Sequence, residues 1–165
     1  MPEKETIERA RRDKRQGKAP STQAGEFVRE EIHHIREGKH GARSAKQAIA
    51  IGLSKARRAG VKLGTPKNAS AATKRSAKSA ARAGRKRAKP SRRRSQAMLR
   101  KLKREGRAAA SSTALAKQAR SAAKRRTRAS RRASAKRAVR TKGPQVRRAA
   151  AKKAARTRRR HQASA

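Results

Sequence analysis

Large apolar side chains fall into two short periodic runs in this chain and then almost cease. Ala24, Val28, Ile32 and Ile35 recur at i, i+4, i+8 and i+11, with Phe27 alongside. That is the stripe of an amphipathic helix over about residues 22–37, with Ser21 or Thr22 as its N-cap. Glu26, Glu30, Glu31 and Arg36 take the other side and read as a solvated face, and Gly38-Lys39-His40-Gly41 breaks the pattern as a helix–helix turn. The second run gives a helix over about 45–59, with Ala45, Ile49, Leu53 and Ala56 as its buried face. Ser44 and Gln47 have the spacing of a capping box, Arg57 and Arg58 load the last turn, and Gly60 stops it. Gly52 inside this helix costs about 1 kcal/mol relative to Ala, which points to close approach by a neighbouring helix.

Ahead of these runs, residues 3–16 are highly charged, contain only Ile7 as a large apolar residue, and end at Gly17. They read as a solvated helix or arm occupying residues 1–20. Residues 21–64 then form a small helical hairpin, giving two to three helices in all in a mainly α protein. A core this small favours marginal stability or self-association. From Thr65 onward the apolar side chains larger than Ala or Pro are Met98, Leu99, Leu102, Leu115, Val139 and Val146. So few cannot offset chain entropy, and residues 65–165 are expected to be a low-complexity tail, disordered alone. Ala, Lys and Arg have high helix propensity between the breaks at Gly84, Pro90, Gly106 and Gly143-Pro144. Neutralisation by a polyanion would therefore make the tail helical in part, with 91–106 as its best-defined helix, capped by Ser91.

Charge changes the picture most. The chain has 53 Lys+Arg against 9 Asp+Glu, and 37 of those cations lie beyond residue 64, answered there by Glu105 alone. A one-signed block of this length is the footprint of a polyanion-binding arm. Duplex DNA carries one charge per ~1.7 Å, so the block suffices for on the order of 20 base pairs. The candidate phosphate contacts are Arg85, Lys86 and Arg87; Arg92, Arg93 and Arg94; Lys124, Arg125 and Arg126; Arg131 and Arg132; Arg147 and Arg148; Lys152 and Lys153; and Arg158, Arg159 and Arg160. Arg57, Arg58 and Lys62 would extend this surface onto the hairpin. The tail contains no aromatic residue, which disfavours base-stacking modules and favours sequence-independent contact with duplex backbone, with structured RNA second.

Other chemistries find little support. The chain has no Cys, so disulfides and thiolate metal sites are excluded. His33 and His34 project from different sides of a helix, His40 lies in a turn and His161 in the tail, so no metal site and no cofactor is expected. No nucleophile elbow, phosphate-cradling loop or carboxylate dyad points to an enzyme. Ser130 and Ser134 follow basic residues as basophilic kinases require, a match that an Arg- and Ser-rich segment produces by chance. No secretory or membrane-spanning stretch is evident, so an intracellular protein without a membrane partner is expected.

The stretch 46–60, Lys-Gln-Ala-Ile-Ala-Ile-Gly-Leu-Ser-Lys-Ala-Arg-Arg-Ala-Gly, resembles the hallmark of a small bacterial domain family of unknown function. Lys39-His40-Gly41 resembles the turn upstream of that hallmark. The resemblance covers about residues 21–64, and some members of the family are called plasmid stabilisation or DNA-binding proteins. The tail is similar in composition to the Ala/Lys/Arg-rich arms of linker-histone-like bacterial nucleoid proteins. These features lead to the expectation of a non-enzymatic, nucleoid-associated, histone-like protein of the cytoplasm that binds DNA through its basic tail and admits a homo-oligomer through its hairpin. The alternatives are an RNA- or ribosome-associated basic protein, and a protein-interaction module in plasmid stabilisation that the tail localises to DNA.

Overall fold

The computed structural model describes residues 2–65, 69–86 and 91–163. Those residues form helices and no strand: α1 (Lys4–Arg15), α2 (Pro20–Arg36), α3 (Ala45–Arg58), α4 (Ala71–Arg85), α5 (Arg92–Lys103), a 3-10 turn (Ala108–Ala110), α6 (Ser112–Lys124) and α7 (Arg128–Ala163). The protein is mainly α, as the periodicity predicts. The chain divides into two units, Met1–Ala123 and Lys124–Ala165.

In the first unit α2 packs against both α1 and α3, and α4 packs on α3. Three of its helices end alike. Gly17, Gly38 and Gly60 adopt positive φ (66°, 78° and 88°) just past α1, α2 and α3. The following residue's amide reaches back to a carbonyl of the last turn in each case: Lys18 to Asp13, Lys39 to His34 and Val61 to Ala56. This is the Schellman arrangement, in which a residue without Cβ takes the left-handed position that closes the orphan carbonyls. The start of α2 differs from expectation. Ala19 is the N-cap and Pro20 the first helical residue, because proline's fixed φ suits that position and its missing amide is needed by no partner there. At α3, Ser44 Oγ accepts from Gln47 N (3.3 Å), but Gln47 Oε1 accepts from Arg43 N (2.9 Å), so the reciprocal half of the box reaches one residue further back.

Two apolar clusters hold this unit. One joins Ala10 of α1, Ala24 and Phe27 of α2 and Ala56 of α3, bordered by Ile7, Leu53, Val61 and Leu63. The other joins Ile32, Ile35, Ala42 and Ala48 to Ala109 and Ala110, bordered by Val28 and Leu115. The predicted face of α3 is displaced by part of a turn: Ala45, Ala48, Gly52 and Ala56 are buried, while Ile49 and Leu53 are half-buried. Small residues occupy the line of closest approach. A Cβ on Gly52 would lie 2.7 Å from Val28 Cα, so the glycine is what lets α3 approach α2.

Three expectations are corrected. The charged N-terminal helix is not a solvated arm: Thr6, Ala10 and Asp13, at i, i+4 and i+7, are buried on one face. Arg9 also reaches across to Glu26 at 2.8 Å. The packed body is not a hairpin of two to three helices confined to residues 21–64. Helix α4 lays Ala77 and Ala80 on α3, and a Cβ on Gly84 would meet the carbonyl oxygens of Arg57 and Arg58. Segment 102–110 closes the turn after α2: Gly41 N donates to Leu102 O (2.9 Å), Ala42 N to Gly106 O (3.1 Å), and Arg36 Nε to Ala110 O (3.0 Å). Leu102, Ala109 and Ala110 are buried in the process. Nor is a disordered tail seen, since the described residues beyond 69 are almost wholly helical. The physical reason is that alanine, when it recurs at helical spacing, both favours the helix and makes a face flat enough for backbones to approach closely.

The second unit carries α7, which buries none of its described residues. It is interrupted at Gly143 (φ 65°, ψ 171°), followed by Pro144, which has no amide for the helical ladder. Among its local bonds, Arg147 Nε donates to Gly143 O at the break (3.2 Å).

Candidate nucleic-acid interface and a buried histidine–glutamate cluster

The sequence places 18 Lys+Arg and no acid in residues 124–165. Lys124, Arg125, Arg126, Arg131, Arg132, Arg147, Arg148, Lys152, Lys153, Arg158, Arg159 and Arg160 are all exposed, carried by the end of α6, the joint after it, and α7. Cations occur all round α7 and not on one stripe, because no face of it is reserved for packing. Some heads are engaged locally: Arg126 bonds the Ser130 carbonyl at 3.3 Å and the Ser134 hydroxyl.

In the first unit Arg92, Arg93 and Arg94 are exposed on the first turn of α5. The meeting of Gly84 with the Arg57 and Arg58 backbone brings the C-terminal turns of α3 and α4 together, so Arg58, Arg85 and Lys86 are exposed at one place. Cations there also suit the negative ends of both helix dipoles. Sequence spacing alone cannot show this junction. Lys62 is exposed nearby in the chain, whereas Arg57 is half-buried with its Nε enclosed and without a hydrogen-bond partner. Arg57 is thus the candidate least available to a ligand. Arg87 lies outside the described residues.

Acidic residues read as solvated surface prove to be interior. Glu30 and Glu31 are 4% and 0% exposed, because α2 is flanked by helices on two sides and its polar face is partly enclosed. Glu30 accepts from the Glu3 backbone amide (3.2 Å) and from Lys55 Nζ (3.3 Å). Lys55 also lies 2.6 Å from Glu31 Oε2, and His40 Nε2 lies 3.1 Å from Glu31 Oε1. These are ion-pair distances, yet neither carboxylate oxygen of Glu31 has a partner along a hydrogen-bonding direction. His34 completes the group: one ligand-capable atom each from Glu31, His34 and His40 falls within 4.8 Å of the others. The two rings meet edge to face, 6.2 Å between centroids. His34 Nε2 is 2.8 Å from Glu3 Oε1, and His40 Nδ1 is 3.1 Å from Gly41 O. The hydrogen bond from His34, and the nearby Lys39 ammonium, hold the Glu3 carboxyl below the usual carboxylate range. Sequence reading missed this cluster because His34 and His40 are six residues apart, and only the Schellman turn at Gly38 folds them together.

No family model, curated protein or solved structure matches the chain. Among the described residues no helix is long and apolar enough to cross a membrane.

Proposed function

We propose that this protein is a non-enzymatic, largely sequence-independent DNA-binding protein of the nucleoid-associated, histone-like kind, acting on phosphate backbone through its basic C-terminal region. The observation that carries this reading is the second unit: 18 cations, no acid and no buried residue among those described. A helix that contributes nothing to a core and displays cations on all sides suits a ligand that is itself a continuous line of charge. Binding releases condensed counterions, so affinity depends on salt and hardly on base sequence. The exposed junction of Arg58, Arg85 and Lys86 supports a second contact point on the first unit.

The test is a titration of nuclease-treated protein against duplexes of scrambled sequence across a range of salt, with structured RNA as competitor at equal phosphate concentration. The expected result is a steep linear fall of log K with log salt, under about threefold variation among duplexes, and preference for duplex DNA. A strong preference for RNA would replace this reading with the RNA-associated one. A shallow salt slope with marked sequence preference would overturn backbone binding altogether.

A further inference from the structure

We propose that Glu31, His34 and His40 form a binding site for one divalent transition-metal ion, with zinc as the representative ligand. Two imidazoles and a carboxylate are a donor set for such ions, and three protein ligands leave a fourth tetrahedral position for water. Geometry and charge both lead to this site.

The geometry begins with the proton on His40. Its Nδ1 lies 3.1 Å from Gly41 O, and a carbonyl only accepts, so Nδ1 is the donor. Its Nε2 is then the ring atom that faces the Glu31 carboxylate, 3.1 Å from Oε1. The contact is close but lies off the hydrogen-bonding direction, which leaves the buried Glu31 oxygens without a proper partner. A bridging metal accounts for both facts. With metal–ligand bonds of about 2.0–2.2 Å, tetrahedral donors in one coordination shell stand roughly 3.3–3.6 Å apart, a little more than the 3.1 Å between His40 and Glu31, and the ion sits beside the N···O line instead of on it. Each histidine also has the outer partner that metal-bound imidazoles use, Gly41 O for His40 and Glu3 Oε1 for His34.

The charge count agrees. Glu30 and Glu31 each have a side chain only 1% exposed, and the single ammonium of Lys55 serves both, at 3.3 and 2.6 Å. Two buried carboxyl groups thus share one ammonium, and a further cation held beside Glu31 would offset the second. Lys39 does not supply it, since its ammonium pairs instead with Glu37 (3.0 Å) and Glu3 (3.6 Å).

The experiment uses full-length, untagged, nuclease-treated protein, stripped with chelator and titrated calorimetrically with zinc chloride near neutral pH in a buffer that does not bind zinc. One zinc per chain is expected, with a rise in melting temperature. His34→Gln and His40→Gln should each weaken binding by at least about tenfold and abolish the thermal shift, while exposed His33→Gln should leave both unchanged. Circular dichroism checks that the variants keep their helix content. Should a variant fail to fold, the wild-type protein still decides: its imidazole NMR signals must shift on saturation at His34 and His40 and stay fixed at His33. No stoichiometric uptake, wild-type affinity in folded His40→Gln, or a response centred on another histidine would overturn the proposal and leave an ion-pair network without metal.

Discussion

Helices α2 and α7 are held by different forces. Helix α2, 17 residues long, buries seven side chains against neighbours on two sides. Helix α7, 36 residues long, buries none of those described and is broken at Gly143. Tertiary packing dictates the first; local propensity alone supports the second against the repulsion of its own charges. The comparison teaches that helix content says little about which part of this protein is a fold and which part is a charged surface in helical form. Folding free energy resides in residues 1–123, and the cations of the C-terminal region, to which polyanion binding is proposed, are bound by no packing constraint.

The largest expected effect separates the two regions directly. Both apolar clusters lie within residues 1–123, so a chain ending at Ala123 should keep the melting temperature of the whole protein. Its affinity for duplex DNA should fall roughly a thousandfold at moderate salt, and the salt slope should become shallower by several units. Fluorescence anisotropy across a salt series measures both, and equal affinity of the two chains would remove the functional side of the comparison. Phe27→Ala should have the opposite profile. It should destabilise the first unit by about 3–4 kcal/mol in denaturant titration, because Phe27 is 1% exposed between α1 and α3, and leave amide exchange in α7 unaltered. Leu102→Ala tests how far the packed region extends. A loss of about 2–3 kcal/mol is expected from this buried residue, whereas a fold ending at residue 64 would lose nothing. Gly52→Ala gives the smallest change. Alanine gains about 1 kcal/mol of helix propensity, but its Cβ would stand 2.7 Å from Val28 Cα, so a net loss of roughly 1–2 kcal/mol should appear in thermal denaturation. A net gain would show that α2 and α3 can separate freely.

The parts legible in sequence were those with a local cause. The apolar stripe of α2, the Ser44 cap of α3, the glycines that close α1 and α3, and the close approach at Gly52 all follow from spacing and residue type. What escaped was packing by small residues. Counting only large apolar side chains hides the Thr6/Ala10 face of α1, the Ala77/Ala80/Gly84 face of α4 and the Ala109-Ala110 pair that completes the second cluster. In an Ala-rich chain each of these is indistinguishable from its surroundings until a partner helix faces it. The candidate interface was legible as composition, because charge needs no partner to be counted. The junction of Arg58 with Arg85 and Lys86 was not, since 26 residues or more separate them in the chain.

The sequence by itself determined that this protein is helical and overwhelmingly cationic, and that its positive charge is concentrated toward the C-terminus. Those properties sum over residues or repeat at short period, so no knowledge of the fold is needed to read them. Only the tertiary structure decided that α1, α4 and segment 102–110 belong to the body, that Glu30 and Glu31 lie inside it, and that His34 and His40 face one carboxylate. Burial depends on what the rest of the chain places opposite a residue, and a polar side chain on a helix face looks the same whether it meets water or another helix.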